Sequence, residues 1–234
     1  MCVVAIAWKA HPKWRLLVAG NRDEFHARAT APLARWDEPS NIIAGRDLVS
    51  GGSWMGVSDA GRFAVVTNIR DADGPSADKK SRGALVSNWL AQGALPSETD
   101  SFNPFNLIVA DQRSVLFISN RPTPTEMHLP PGIHGLSNAV PDEHWPRKDR
   151  LVAGMEDLLK GAATNPGALF DLLAEEAVSD RGSLPLFIRS PVYGTRCSTI
   201  VAVDDAGLGR IIERSFDHNG GISGERSLAF DWSQ

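Results

Sequence analysis

The second residue of this chain is a cysteine, one of only two among 234 residues. Removal of Met1 would leave a thiol and a free α-amino group on one residue. A thiol with a pKa of about 8.5 is only slightly ionised at neutral pH, and an amine with a pKa of about 7.7–8.0 can take its proton. Cys2 is therefore predicted to be a nucleophile that carries its own base. The alternative is a small apolar residue at the start of a buried strand.

The segments that would position Cys2 have the pattern of β-strands. Residues 2–8 are apolar and rich in β-branched side chains, and after a turn at 11–13 a second apolar run covers 15–19. Together they predict a hairpin that is buried on at least one face. Further strands are predicted at 41–47, within 51–61, and at 62–71, 105–111, 114–120, 198–205 and 209–216.

Helices are predicted between these strands. Residues 81–93 have apolar side chains at helical spacing, with Ser81 as the N-cap and Gly93 as the stop. Two more helices are predicted at 146–160 and 166–177. Because short turns join most strands, antiparallel pairing is favoured, and we expect one domain over residues 1–234 in which helices cover two antiparallel sheets.

Composition excludes several function classes. The net charge of −4 and the pI near 5.9 provide no basic field for nucleic acid. The one short basic run, Lys79-Lys80-Ser81-Arg82, is predicted to be a solvated loop ahead of a helix, with phosphate binding as the alternative. Two cysteines and six histidines without metal-ligand spacing predict no metal site.

The chain has neither a secretory signal pattern at its start nor an apolar run of the roughly 20 residues that span a bilayer. We therefore expect a cytoplasmic protein with reduced cysteines and no membrane span. The sequence does not specify an oligomeric state.

Five segments carry a resemblance to a known family. They are MCVVAIAW (1–8), NRDEF (21–25), GGSWMGVSDAGRFAVVTNIRD (51–71), GLSNAVPDEHWPRKDR (135–150) and YGTRCSTIV (193–201). In this order they resemble the NRDE family, also called the transport and Golgi organisation protein 2 family. That family in turn is similar to cysteine-type N-terminal nucleophile hydrolases such as choloylglycine hydrolases and penicillin V acylases. The resemblance implies an α+β fold, a four-layer αββα sandwich of two antiparallel sheets.

The resemblance also implies roles around the nucleophile. Asp23 falls where the amidases hold the N-terminal amine. The amidase arginine has no counterpart, because Gly20 stands in its place and Arg22 follows two residues later. Residues two apart on a strand share one face, so Arg22 is predicted to reach the thiolate or the substrate.

Asn68 and Asn138 match the two asparagines that form an oxyanion hole in the similar amidases. Amide N–H groups aimed at a developing oxyanion are what acyl transfer requires. Asparagine at a strand end is also a common turn residue, and this alternative stays open. Arg196 is predicted to orient the asparagines or to bind a carboxylate or phosphate of a ligand, with an ordinary surface arginine as the alternative.

The predicted function is that of a cysteine-dependent hydrolase or acyltransferase that cleaves a linear amide C–N bond of a small molecule. Its catalysis would need no cofactor. The alternative is a non-catalytic carrier on the same scaffold, which binds haem or a lipid or acyl-CoA ligand and takes part in its trafficking. In the haem form of that alternative, Cys2 or a histidine would be the axial ligand.

Overall fold

The computed structural model describes residues 2–70, 74–141, 143–161, 165–178 and 184–233. Their strands are, in chain order, β1 (Val3–His11), β2 (Trp14–Phe25), β3 (Thr30–Arg35), β4 (Ile42–Asp47), β5 (Met55–Ser58), β6 (Arg62–Asn68), β7 (Phe105–Ala110), β8 (Val115–Ser119), β9 (Thr125–His128), β10 (Gly132–Leu136), β11 (Tyr193–Asp204), β12 (Leu208–Phe216) and β13 (Ile222–Asp231). The α-helices are α1 (Gly83–Gln92), α2 (Pro146–Lys160) and α3 (Leu169–Leu173). None of the described helices has the length and apolar character needed to cross a membrane.

The described strands form two antiparallel sheets. The first sheet has the order β10-β1-β2-β11-β12-β13, and the second has the order β3-β4-β5-β6-β7-β8-β9. In the second sheet every strand pairs with its neighbours in sequence, so the short predicted turns do produce antiparallel pairing. In the first sheet the hairpin of β1 and β2 lies at the centre, between segments that arrive more than 100 residues later.

Side-chain alternation on the central hairpin separates two faces. Val4 and Ile6 point toward the second sheet, whereas Val3 and Ala5 point toward α2 and α3. Both faces are buried, which is why residues 2–8 form a continuous apolar run rather than an alternating pattern. The second sheet buries its outer face against α1. Three apolar layers therefore separate four layers of secondary structure, and the predicted αββα sandwich is confirmed.

Four of the described strands were not predicted from the sequence, and all four are edge strands. β3 and β9 border the second sheet, and β10 and β13 border the first. β13 and β9 are largely exposed, and β3 contains Pro32. An edge strand contacts a neighbour on only one side, so its sequence lacks the strong apolar pattern of a central strand.

The helix ends differ in detail from the prediction. The residue that precedes α1 is Arg82 rather than Ser81, and it makes no capping hydrogen bond through its side chain. Gly93 ends α1 in the left-handed conformation and donates its N–H to the carbonyl of Trp89, as a C-terminal glycine does. The predicted helix at 166–177 is shorter than expected, because α3 ends at Leu173.

A close backbone contact sets the position of α1. A Cβ atom on Gly52 would lie 2.3 Å from the carbonyl carbon of Gly83, the first residue of α1. We expect Gly52→Ala to lower the free energy of unfolding by about 1–3 kcal/mol, because helix and turn must separate. Gly224→Ala is the matched control, since no atom lies within 4 Å of its added Cβ. Equal urea unfolding midpoints for the two variants would contradict this account of the contact.

Candidate functional site

A cleft of about 760 Å³ opens between the two sheets at the end where β1 begins and β6 ends. The predicted site residues all line it: Cys2, Arg22, Asp23, Asn68, Asn138 and Arg196. These residues come from segments far apart in the chain, and the sandwich brings them to one end of the molecule.

Cys2 lies immediately before β1, and the strand register sets its neighbours. Val3 is paired with Asn21, so Cys2 comes opposite Arg22 on the adjacent strand. Both residues continue the face that points between the sheets, because Val4 and Val18 also lie on it. Arg22 is in turn paired with Cys197 on β11. A half-buried Cys2 thus borders the cleft beside a guanidinium group.

Burial is the largest influence on the Cys2 thiol and raises its pKa. The nearby Asp23 carboxylate also raises this pKa, whereas Arg22 and the backbone N–H of Asp23 lower it. With a raised pKa, the thiol is mostly protonated near neutral pH. A nucleophilic role for Cys2 therefore requires a base next to its sulfur.

The nitrogen of Cys2 donates a hydrogen bond to Oδ1 of Asn138, and the distance is 2.6 Å. In a chain that has lost Met1, this same nitrogen would be the α-amino group. Met1 itself lies outside the described residues. Nδ2 of Asn138 donates to the carbonyl oxygen of Asn68 at 2.5 Å. One amide side chain therefore joins Cys2, at the start of the first sheet's central hairpin, to the end of β6 in the second sheet.

The segment that carries Asn138 is fixed by side chains of the second sheet. Thr67 Oγ1 donates to the carbonyl of Ser137 at 2.5 Å, and Asn106 Nδ2 donates to the carbonyl of Ala139 at 2.8 Å. Asn138 is 3% exposed, so its contacts are shielded from water. We conclude that the Asn138 amide is held in place before any ligand binds.

Asn68 lies at the end of β6 and borders the same cleft. Its side chain is exposed, while its backbone carbonyl is used by Asn138. The two predicted oxyanion residues are thus adjacent but not equivalent. Asn138 contacts the Cys2 nitrogen, and Asn68 presents its amide at the cleft surface.

Asp23 lies on the opposite face of β2 from Arg22, toward the helices. Its carboxylate accepts hydrogen bonds from Arg147 Nη1 at 2.5 Å and from Thr195 Oγ1 at 2.7 Å. The Tyr193 hydroxyl donates to its backbone carbonyl at 2.9 Å. Asp23 therefore anchors β2 to α2 and β11. That it also holds the N-terminal amine stays a prediction.

Arg147 was not predicted as a site residue, although the sequence contains a signal for it. It occupies the first turn of α2, and residues 147, 151 and 155 share the buried helix face. An arginine in line with Leu151 and Met155 at i, i+4 spacing is expected on the buried face of the helix. A buried guanidinium requires an acidic partner, which the fold supplies as Asp23.

Arg196 occupies a β-bulge in β11, where the register with β2 shifts. Its Nη1 donates to the carbonyls of Phe25 and His26 at 3.0 Å and of Arg28 at 3.1 Å. Burial lowers the pKa of its guanidinium, the effect expected for a partly desolvated cation. These contacts tie down the connection between β2 and β3. Its predicted contact with a ligand stays a prediction.

Glu213 and Arg226 also line the cleft, and both contact Leu33. Glu213 Oε1 accepts a hydrogen bond from the backbone N–H of Leu33 at 2.7 Å, and Arg226 donates to the Leu33 carbonyl at 3.2 Å. These contacts join β12 and β13 of the first sheet to β3 of the second. The neighbouring Cys197 is buried, and burial raises the pKa of its thiol well above the ordinary value.

The described cleft lining contains few side chains that could bind a metal ion or haem. Within the described part of the chain, no three histidine, cysteine or acidic side chains are grouped so that they could hold a metal ion. The described cleft lining contains Cys2 and Cys197 but no histidine. Cys2 is thus the axial ligand that the haem alternative would use in this cleft, and that alternative stays a prediction.

Two stacked antiparallel sheets between helices form the αββα fold of the N-terminal nucleophile hydrolases. Solved structures agree. Penicillin V acylase from Agrobacterium tumefaciens superposes with a TM-score of 0.57 at 12% identity, covering 100% of this chain and 87% of that one. A Caenorhabditis elegans ortholog of N-acylethanolamine-hydrolyzing acid amidase gives 0.54 at 14% identity, covering 85% and 92%.

The sequence identifies the family within this fold. The model of the family described as Transport and Golgi organisation 2 matches residues 1–218, so the chain belongs to this family. The Transport and Golgi organization protein 2 homolog of Homo sapiens is 29% identical over 266 residues, which cover 92% of this chain and 93% of that protein. The resemblance seen in the five sequence segments is confirmed.

The buried Asp23–Arg147 pair makes a prediction about stability. The exposed fraction of both side chains is near zero, at 0% and 3%. Arg147→Met should lower the free energy of unfolding by about 3–5 kcal/mol, because it leaves a buried carboxylate without its cation. Arg150→Met removes a half-exposed partner of Glu175 on the same helix and should cost less than about 1 kcal/mol.

Urea unfolding of both variants measures this difference. Adding Asp23→Asn to the Arg147→Met variant should recover part of the loss, because the unpaired charge is gone. A loss in Arg147→Met no larger than that in Arg150→Met would show that the buried pair contributes little.

Glu213 makes a prediction about pH. Burial raises its pKa above the ordinary value of 4.5, although the Leu33 N–H acts against this. The folded state therefore holds the proton more tightly than the unfolded state does. The resulting stabilisation is complete below the unfolded-state pKa and is lost as the pH rises through the folded-state pKa.

Glu213→Gln removes this pH dependence, and its amide oxygen can still accept from Leu33. We expect the variant to gain stability relative to wild type between about pH 5 and pH 8, as measured by urea unfolding at both. A constant difference between the two proteins over this range would contradict the raised pKa.

Proposed function

We propose that this protein, after removal of Met1, is a cysteine-dependent amidohydrolase or acyltransferase that acts on the amide bond of a small molecule. The observation that carries the proposal is the 2.6 Å hydrogen bond from the Cys2 nitrogen to Asn138 at the wall of the cleft. A hydrogen bond to a buried amide fixes the orientation of an amine, and an oriented amine can serve as a base for the thiol on its own residue.

In the first half of the reaction, the α-amino nitrogen accepts the thiol proton and Sγ attacks the amide carbonyl carbon. The carbonyl oxygen becomes an oxyanion, to which the exposed amide of Asn68 donates a hydrogen bond. Collapse of this intermediate breaks the C–N bond. The leaving amine takes the proton back from the α-ammonium group, and a thioester remains on Cys2.

In the second half, water or another amine attacks the thioester carbonyl while the α-amino group accepts its proton. The C–S bond breaks, and the protonated α-amino group returns the proton to Sγ. Water yields a carboxylic acid, and an amine yields a new amide. In this proposal Asn138 orients the base, and Asp23 keeps β2 in place through Arg147.

The proposal predicts an acyl adduct on Cys2. Intact mass of the purified full chain should show loss of Met1, and incubation with p-nitrophenyl hexanoate should add one acyl group that peptide mapping assigns to Cys2. Cys2→Ala should abolish the adduct. Cys197→Ala is the matched control and should retain it, because the Cys197 thiol is buried and strongly protonated.

Asn138→Ala should slow acylation by about 100-fold, because the amine loses its oriented position. Stopped-flow release of p-nitrophenolate measures this rate. An active chain that keeps Met1, or an adduct that persists in Cys2→Ala, would overturn the mechanism.

A further inference from the structure

The cleft is basic, although the chain as a whole has a net charge of −4. Its cationic lining residues are Arg22, Arg28, Arg46, Lys79, Lys80, Arg82, Arg196 and Arg226, and its acidic ones are Asp23, Glu24, Asp47, Glu213 and Glu225. The basic run that the sequence predicted to be a solvated loop thus contributes three of these cations to the cleft. A concave, basic surface concentrates anions.

Several of these cations already have partners in the fold. Arg28 forms a 2.5 Å ion pair with Asp47, and Arg196 is bound by three backbone carbonyls. Lys79 donates to the backbone carbonyl of Asp100. Asp23 is neutralised from outside the cleft by Arg147. The cations near Cys2 that have the weakest pairing within the fold are therefore the candidates for binding an anionic ligand.

Arg22 is one of them. Its side chain is 11% exposed, and its nearest ion-pair contact is Glu24 Oε2 at 3.8 Å, long for a hydrogen-bonded pair. It stands beside Cys2 on the inner face of the first sheet, as the strand register requires. An anion above Cys2 would therefore face this guanidinium.

Arg82 is the other. It is half-buried directly before α1, and its Nη1 donates a 3.2 Å hydrogen bond to the carbonyl of Pro104. No described carboxylate lies within ion-pair distance of it. Burial is the largest influence on its pKa and lowers it, Glu24 and Cys2 raise this pKa, and Arg28 lowers it. Arg82 and Cys2 line the same cleft. A partly desolvated guanidinium without an ion pair is stabilised when an anion binds to it, because the anion compensates for the lost hydration.

We propose that Arg22 and Arg82, from opposite walls of the cleft, form an anion-binding subsite beside Cys2. The substrate would then be an amide that carries a carboxylate or phosphate close to its scissile carbonyl. This inference rests on the proposed function for the identity of the reacting bond. Guanidinium groups suit such anions because they donate parallel hydrogen bonds to two oxygens. Lys79 and Lys80, which are both exposed, add to the positive charge of the cleft lining.

Alkylation of Cys2 tests the subsite without any assumption about catalysis. The thiolate displaces iodide from iodoacetate, which is anionic, or from iodoacetamide, which is neutral, and forms the same S–C bond in both reactions. Both rates scale with the thiolate fraction of Cys2. Their ratio cancels that fraction and reports only the preference for the anion.

We expect the iodoacetate to iodoacetamide rate ratio of Cys2, read by peptide mass at pH 8.5, to exceed that of N-acetylcysteine by about tenfold. Arg82→Gln should lower the ratio by about fivefold, and Arg82→Lys should retain most of it. Arg210→Gln is the matched control, since this exposed arginine lies on β12 outside the cleft and contacts Ser227. Arg22→Gln provides a second variant in case Arg82→Gln does not fold.

Competition identifies the anionic group. At matched ionic strength, butyrate should protect Cys2 from iodoacetate if the subsite takes a carboxylate, and inorganic phosphate should protect it if the subsite takes a phosphate. A ratio equal to that of N-acetylcysteine and unchanged in Arg82→Gln, or a Cys2 that reacts with neither reagent, would overturn the subsite. A high ratio in a protein that forms no acyl adduct would reject the proposed function and keep the anion site.

Discussion

The amide side chain of Asn138 holds the candidate site together. It accepts a hydrogen bond from the nitrogen of Cys2 in the first sheet and donates one to the end of β6 in the second. Most of the contact between the two stacked sheets is made by apolar side chains, which have no directional preference. Polar links away from the site include those of Glu213 and Arg226 to Leu33. Buried hydrogen bonds with fixed geometry are needed to set the relative position of polar groups at the open end of a sandwich. Thr67 and Asn106 supply this order by holding the segment around Asn138.

The two faces of β2 carry charged residues with different roles. The inner face presents Arg22 to the cleft, and the outer face presents Asp23 to Arg147 in α2. A strand buried on both faces can carry charged residues only when each has a partner or access to solvent. Asp23 has a buried arginine, and Arg22 has the cleft. The NRDE segment therefore combines an anchor for the sheet with a charge for the site.

Two effects shift the pKa of the Cys2 thiol in opposite directions. Burial raises the pKa of the Cys2 thiol, and Arg22 lowers it. A protonated thiol is unreactive until a base removes its proton. A base that is held at a fixed distance from the thiol can do so without the entropic cost of being positioned. In our proposals the positive lining stabilises the thiolate once it has formed and attracts anionic ligands. The same arginines would then serve both the reactivity of Cys2 and the choice of its ligand.

The sequence by itself determined the layers and the place of Cys2. Continuous apolar runs in the central strands and apolar spacing in α1 and α2 are local patterns, so two antiparallel sheets covered by helices could be predicted from them. The four-layer αββα order was implied by the family resemblance. The edge strands β3, β9, β10 and β13 could not be predicted, because strands at the edge of a sheet lack that pattern. Only the tertiary structure decided that Asn138 meets the Cys2 nitrogen and that Arg147 meets Asp23, 136 and 124 residues apart. Hydrogen-bond and ion-pair partners at such separations are chosen by the stacking of sheets and helices, which leaves no signal in the neighbouring sequence.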